Sequence, residues 1–199
     1  IIERKGARTA LITTRGFRDV LEIGREKRYD IYDLFITYPP PLVPRHLRRE
    51  VNERINRDGI VLENLDQEEA RELAAGLAAE GVESVAVCFL HSFVNPEHER
   101  LMGRILEEVC PQIEYSLSSE VLPEIREYER ASTTAVNAYV QPLTRHYLDN
   151  LKDRLRSMGF DRELFVMLSS GGTASLETAV KYPVRVCESG PAGGVMAAR

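Results

Sequence analysis

The chain has 199 residues, 43% of them hydrophobic and 29% charged, with a formal net charge of −5 from 31 acidic and 26 basic side chains. That is the composition of an ordinary globular protein, and it excludes collagen-like, disordered and disulfide-scaffold classes. The mild acidity argues against a nucleic acid partner. No apolar run approaches the roughly 20 residues that span a bilayer, and no signal peptide is visible.

Residues 8–13 predict a short buried strand, and the run from Gly16 to Gly24 predicts a short helix. Residues 29–44 hold four of the ten prolines and show no period. Pro39, Pro40 and Pro41 impose an extended stretch without backbone donors, so this segment is expected to be a long ordered loop or a linker. Its charged flanks read as solvated faces. Residues 48–62 predict two strands around the Asp58-Gly59 turn.

Asp66 and Glu69 have the spacing of a capping box, opening a helix with Ala70, Leu73, Ala74 and Leu77 on one face and Gly81 at its end. Residues 84–90, SVAVCFL, are nearly all apolar, as in a central strand covered on both faces. Cys88 lies within this run and reads as a buried small hydrophobe. Asn95 is expected to cap a helix with Pro96 at its first position. Leu101, Ile105, Leu106 and Val109 form that helix's apolar side. Cys110 ends it, Pro111 stops it, and residues 113–118 predict a further strand. Strand and helix thus alternate from 60 to 118, which argues for a parallel sheet with crossover helices.

The character changes after Leu122-Pro123, which suggests a domain boundary near 119–124. Residues 124–140 predict a helix with Tyr128, Ala131, Ala135 and Tyr139 near one face. Pro142 is expected to start a second, longer helix whose apolar stripe is Leu143, Tyr147, Leu151, Leu155 and Met158, closed by Gly159. A short buried strand at 164–168, a helical segment at 175–181, a strand at 184–186 and a terminal helix complete the chain. The three cysteines, odd in number and without C-x-x-C spacing, point to a reduced compartment and to neither a disulfide nor a zinc site.

Two turns carry the pattern of anion sites. Ser169-Ser170-Gly171-Gly172-Thr173 follows a strand, where glycine backbone lets N–H groups approach a phosphate and hydroxyls add donors. Glu188-Ser189-Gly190-Pro191-Ala192-Gly193-Gly194 leads into a helix, whose first N–H groups suit an anion. The plain alternative is a tight turn and an ordinary helix start. Neither matches the G-x-x-x-x-G-K-[ST] or G-x-G-x-x-G nucleotide motifs, and no G-x-S-x-G elbow is present. Of the four histidines, His91 stands at a strand end, where a structural role is the first reading and a site role the second. Arg126, Glu127, Glu129 and Arg130 form a dense charge cluster. It reads either as helix-surface ion pairs or as a subunit or substrate contact.

Several segments together resemble the hydantoinase A/5-oxoprolinase family: RKGARTALITTRGFRDVLEIGRE, YDLF, PLVPRHLRREVNERI, CFLHSFVNPEHE, SLSSEVLPEIREYERASTTAVNAYVQP, SSGG and SGPAGGV. The likeness runs in order through nearly the whole chain. It implies an α/β fold that is part of an actin-like (ribonuclease H-like) ATPase fold, with a mixed sheet, crossover helices and longer helices in the C-terminal half. Residues 1–120 would close the family's N-terminal domain and 121–199 would open its hydantoinase A domain. The family includes N-methylhydantoinases, 5-oxoprolinases and ketone carboxylase subunits.

The activity implied is therefore ATP-dependent opening of a lactam or imide ring in the cytoplasm, with Mg2+ and a hydantoinase B-type partner. Ketone carboxylation and a non-catalytic scaffold are the alternatives. The family's acidic Gly-Gly-Thr phosphate loops are missing, and Ser-Asn-Gly-Gly is replaced by Ser169-Ser170-Gly171-Gly172. The chain is thus expected to be an inactive internal fragment whose metal ligands lie elsewhere. Ser170, Gly171, Gly172, Ser189, Gly190 and Gly193 carry over as nucleotide- or substrate-binding residues.

Overall fold

The computed structural model describes residues 1–26 and 30–198. Tyr29 and the basic residues of the first flank, Lys27 and Arg28, lie outside them, as does Arg199. Four strands form an entirely parallel sheet in the order β2-β1-β5-β6: β1 Thr9–Thr14, β2 Arg48–Val51, β5 Ser84–Cys88 and β6 Glu114–Leu117. Every residue of β1 and β5 is buried, as continuous apolar runs in the middle of a parallel sheet require. Antiparallel pairing is confined to two hairpins, β3 Arg54–Ile55 with β4 Val61–Glu63, and β7 Phe165–Met167 with β8 Thr173–Ser175.

The 48–62 stretch therefore divides. β2 joins the main sheet beside β1, while β3 and β4 pair only with each other around the Asp58-Gly59 turn. This corrects the expected strand at 60–62 as the first member of the parallel alternation. The turn is fixed by the Asn56 side chain, which accepts from the N–H groups of Asp58 and Ile60, both at 2.9 Å.

Helix α2, Gln67–Ala79, starts where the Asp66 carboxylate accepts from the Glu69 N–H at 3.1 Å. The reciprocal half of the capping box is absent. Glu69 reaches instead to the Asn52 N–H at 2.8 Å and to Arg15, so it ties the helix start to the strand ends. Helix α3, Glu97–Val109, is preceded by Asn95, whose side chain accepts from the Glu97 N–H at 3.1 Å. It buries Met102, Ile105 and Leu106 together with His98 and Glu99. Helices α2 and α3 pack on each other and on the sheet.

The break expected at Pro142 does not occur. A single helix, α5, runs from Glu127 to Ser157 with Pro142 inside it. Its first half packs on β5, β6 and β1 through Ala131, Ala135 and Ala138. Its second half buries Leu148 against Ala179 and Val180 in a separate small core, and Leu151 packs on that core. Tertiary packing on both sides thus outweighs the lost hydrogen bond at proline. Of the stripe expected on this half, Leu143, Tyr147 and Met158 face outward, each more than half exposed, while Leu151 turns to the core.

Three α-helices are only one or two turns long: α1 Val20–Ile23, α4 Ser118–Val121 and α6 Leu176–Lys181. The strand expected at 184–186 is a 3-10 turn over Pro183–Arg185, since Pro183 has no N–H for a ladder. The strand expected to be buried at 164–168 is half-exposed, because β7 has a single neighbour. The last helix, α7, spans Ser189–Ala197 and contains the glycines that were expected to precede it.

Candidate functional site

The two glycine-rich segments meet on the surface. Gly171, at φ +87°, turns the β7–β8 hairpin, with the Leu168 N–H donating to the Gly172 oxygen at 2.7 Å. Ser169 links the hairpin to the segment before α7. Its N–H donates to the Arg185 oxygen at 2.8 Å, and its hydroxyl accepts from the Glu188 N–H at 3.1 Å. A Cβ placed on Gly193 would lie 3.8 Å from Met167, and one on Gly171 would lie 3.8 Å from Met196.

Ser170, Gly172 and Gly190 are exposed, while Gly171, Ser189 and Gly193 are half-buried between the hairpin and α7. An added Cβ would meet nothing within 4 Å at Gly190, and at Gly172 only the Ser170 hydroxyl at 4.0 Å. Backbone is therefore approachable from outside at Gly172 and Gly190, whereas the N–H groups of Gly171 and Ser189 already donate to the Leu168 and Val186 oxygens, both at 3.0 Å. Neither segment fits magnesium. No group of three or more His, Cys, Asp or Glu side chains among the described residues is placed to hold a metal ion.

A second set of polar groups gathers at the carboxyl ends of the parallel strands, and it is built into the fold. Thr14, the last residue of β1, donates to Glu53 and accepts from the Leu90 N–H at 3.0 Å. Glu53 also meets His98 Nδ1 at 2.8 Å. Glu99 accepts from the N–H groups of Phe89 at 2.9 Å and Ser119 at 2.8 Å. Arg130 donates to the Phe89 oxygen at 2.7 Å and to Ser92. His91, at φ +54°, keeps a buried Nδ1 with no partner among the described residues. Cys88 lies beneath this network, and burial pushes its thiol up to about 12, so it is no nucleophile at neutral pH.

The charge cluster at the start of α5 thus splits, and its residues do not pair with one another along the helix. Arg130 turns into the core. Glu129 pairs with Arg25 at 2.7 Å across to the α1 side. A hydrogen bond from its own backbone N–H, helped by Arg25, holds the Glu129 carboxyl below its usual pKa. Asp19 is likewise held low, by the hydrogen bond from Arg45.

Arg126, Glu127 and Tyr128 face a cavity of about 600 Å³ whose far wall is Gly16, Phe17, Val20 and Ile23, the segment that follows β1. It continues into a groove of about 970 Å³ walled by Pro39, Pro40 and Pro41, which gives the proline-rich loop a place beside a site. Crevices outside the carboxyl ends of parallel strands are where α/β proteins commonly take ligands. The segments on either side are more than 100 residues apart in the chain, and no local spacing announces that they meet. The one signal was the density of charge at 126–130.

Comparison with known proteins agrees with this architecture. Residues 1–110 match the hydantoinase/oxoprolinase N-terminal region, and residues 130–199 match hydantoinase/oxoprolinase. The crystal structure of an ATP-dependent caprolactamase from Pseudomonas jessenii is 34% identical at a TM-score of 0.89, covering 99% of this chain and 29% of that one. A nucleotide-free acetone carboxylase structure is 33% identical at a TM-score of 0.85, with the same coverage. The 5-oxoprolinase of Saccharomyces cerevisiae is 34% identical over 98% of this chain and 17% of its own length. The chain thus spans less than a third of these relatives. Matched along most of its length and superimposing on two solved relatives, with the α/β fold of an actin-like ATPase segment, it belongs to the hydantoinase/oxoprolinase family.

Proposed function

We propose that the full-length protein couples ATP hydrolysis to the opening of a cyclic amide ring. The observation that carries this reading is the likeness to the ATP-dependent caprolactamase, which extends over almost every residue of the chain. A lactam resists hydrolysis because its nitrogen is a poor leaving group. ATP supplies the activation by phosphorylating the amide oxygen with release of ADP. Water then adds to the activated carbon, and the C–N bond breaks as the nitrogen leaves protonated. A second water hydrolyses the resulting acyl phosphate to the acid and phosphate. The protein is then asked mainly for positioning and for stabilisation of charge.

In this reading the backbone N–H groups of Ser170, Gly172 and Gly190 hold phosphate oxygens. Gly171, Ser189 and Gly193, whose N–H groups donate within the turn and the helix, shape the two segments around them. Ser169 keeps the two segments in register. The metal-binding carboxylates belong to the rest of the protein, and no step is assigned to magnesium here. The division of the chain at 120/121 and a hydantoinase B-type partner are parts of the same proposal. The partner is supported by the naming of the caprolactamase and acetone carboxylase relatives as subunits. Placement in the cytoplasm is supported by three free cysteines, two of them buried. No helix among the described residues is long and apolar enough to cross a membrane.

The likeness to acetone carboxylase favours a second reading, carboxylation of a ketone. Substrate-stimulated ADP release by the full-length protein with its co-purifying subunit separates the two. The panel is 5-oxoproline, hydantoin, N-methylhydantoin and ε-caprolactam against acetone or acetophenone with bicarbonate. Stimulation by a ring amide without bicarbonate is expected. Stimulation by a ketone, only when bicarbonate is present, would establish the carboxylase instead.

A further inference from the structure

The cavity at the start of α5 holds an unusual combination. Glu127 and Tyr128 are half-buried, yet neither side chain makes a hydrogen bond or ion pair among the described residues, nor does that of Arg126 beside them. A carboxylate partly withdrawn from water with no donor is unfavourable unless something else supplies one. The neighbouring charges are already engaged: Glu129 with Arg25, and Asp19 with Arg45 at 2.9 Å. The polar ends of these three side chains therefore take no part in the hydrogen bonds or ion pairs of the described residues, although the Tyr128 ring lies against Gly24. They share one cavity with the apolar side chains of Phe17 and Ile23. Its volume of about 600 Å³ falls within the usual span of roughly 300–1,000 Å³ for small-molecule sites.

We propose that this cavity is a binding site for the ring amide, apart from the glycine segments that pack toward the other half of α5, and that Glu127, with Tyr128 and Arg126, reads the edge of the ring; the inference rests on the cyclic amide reading above. In a small-ring lactam or imide the amide is locked cis, so its N–H and C=O lie along one edge of the ring. Such an edge needs an acceptor beside a donor, with an apolar wall for the ring carbons. Glu127 is acceptor only when ionised, Arg126 is donor only, and the Tyr128 hydroxyl can do either. Phe17 and Ile23 supply the wall. A ketone has no N–H to offer Glu127, so this residue sets the choice of a ring amide over a ketone.

The test uses the full-length protein and its Glu127→Ala, Glu127→Gln and Tyr128→Phe variants. Binding of hydantoin and ε-caprolactam is followed by saturation-transfer NMR, turnover by ADP release, and ATP affinity by calorimetry as a check on the fold. Glu127→Ala is expected to weaken ring-amide binding about tenfold, with ATP affinity unchanged, because a hydrogen bond to a charged group is lost. Glu127→Gln, which keeps a carbonyl acceptor, is expected to lose less, as is Tyr128→Phe. If Glu127→Ala does not fold, the milder two carry the test. Unchanged ring-amide affinity in all folded variants of a protein that turns over ring amides overturns this site and leaves the proposed function standing. A wild-type protein that binds no ring amide, and responds only to a ketone with bicarbonate, overturns both.

Discussion

Arg130 and Glu99 are both fully buried and carry opposite charges, but they make no direct ion pair. Ser118 stands between them, donating to Glu99 at 2.6 Å and accepting from Arg130 at 3.2 Å. The arrangement pins α5 to the loop after β5 and to the start of α4, and it lets each charge spread over several neutral partners. Replacing Arg130 by Met would leave Glu99 buried without its countercharge. Breaking such an arrangement costs about 3–5 kcal/mol. Urea unfolding of the full-length protein should register that loss. Arg130→Lys should lose less, because an ammonium keeps the charge but cannot reach every acceptor of the guanidinium.

Gly6 is packed face-on against the Tyr139 ring, so that an added Cβ would sit 2.2 Å from Cε1. Tyr139 is itself buried, and the Ala7 N–H donates to its carbonyl oxygen at 2.9 Å, so the ring has little room to retreat. Gly6→Ala is expected to destabilise by about 1–3 kcal/mol, the usual range for overpacking. Adding Tyr139→Leu should recover part of it. A thermal melt of the single and double variants decides the point. Equal melting temperatures for Gly6→Ala and wild type would mean that the two do not press on each other.

Asp19 and Glu129 predict a specific acid response. Both carboxyls titrate below their usual values, Asp19 through Arg45 and Glu129 through its own backbone N–H and Arg25. A depressed folded pKa means that the stabilisation is complete above the unfolded value, near 4, and is lost as pH falls through the folded value. The deficit of Asp19→Asn relative to wild type should therefore be present at neutral pH and shrink below about pH 4. Melting temperature against pH measures it. Both ion pairs lie at the surface, so the effect is small and should weaken with added salt.

Gly171 and Gly172 should separate fold from function. Gly171 sits at φ +87°, where any side chain is strained, so Gly171→Val is expected to cost about 1 kcal/mol or more in stability. Gly172 has ordinary backbone angles and open space beside it. Gly172→Val should keep the melting temperature and reduce ATP turnover about tenfold by blocking backbone approach. Normal turnover in a stably folded Gly172→Val would remove the hairpin from the phosphate site.

Much of the fold could be read from the chain wherever one physical rule acted alone. The runs Thr9–Thr14 and Ser84–Cys88 are apolar enough to demand burial on both faces, and both became central strands. Asp66 and Asn95 marked helix starts because an unpaired N–H needs an acceptor wherever it occurs. Failures came where a distant contact decided. Glu69 abandoned its capping partner for Asn52, and Pro142 stayed helical because both flanks of α5 are packed. The spacing of Leu143, Tyr147, Leu151, Leu155 and Met158 resembled a core stripe, but Leu148 was the residue buried, with Leu151 packed beside it. The two glycine segments could be named in advance, though not that Ser169 would join them. The cavity beside Tyr128 was beyond reach, since it exists only once β1 and α5 are neighbours.

Helix α5 gives these separate places a common mechanical frame. With 31 residues it is a rod of about 46 Å at 1.5 Å per residue, starting at the cavity and ending beside the hairpin module. Asn137, on the same rod, holds the Lys181 oxygen at 3.0 Å and the Val184 N–H at 3.2 Å. A rigid tilt of this rod would carry Asn137, and with it the segment leading into α7. The rod has one built-in soft point, the missing hydrogen bond at Pro142, and it lies past Asn137. The stiff portion thus runs unbroken from the cavity to the residue that grips the glycine-rich module, while flexing is left to the turns beyond it.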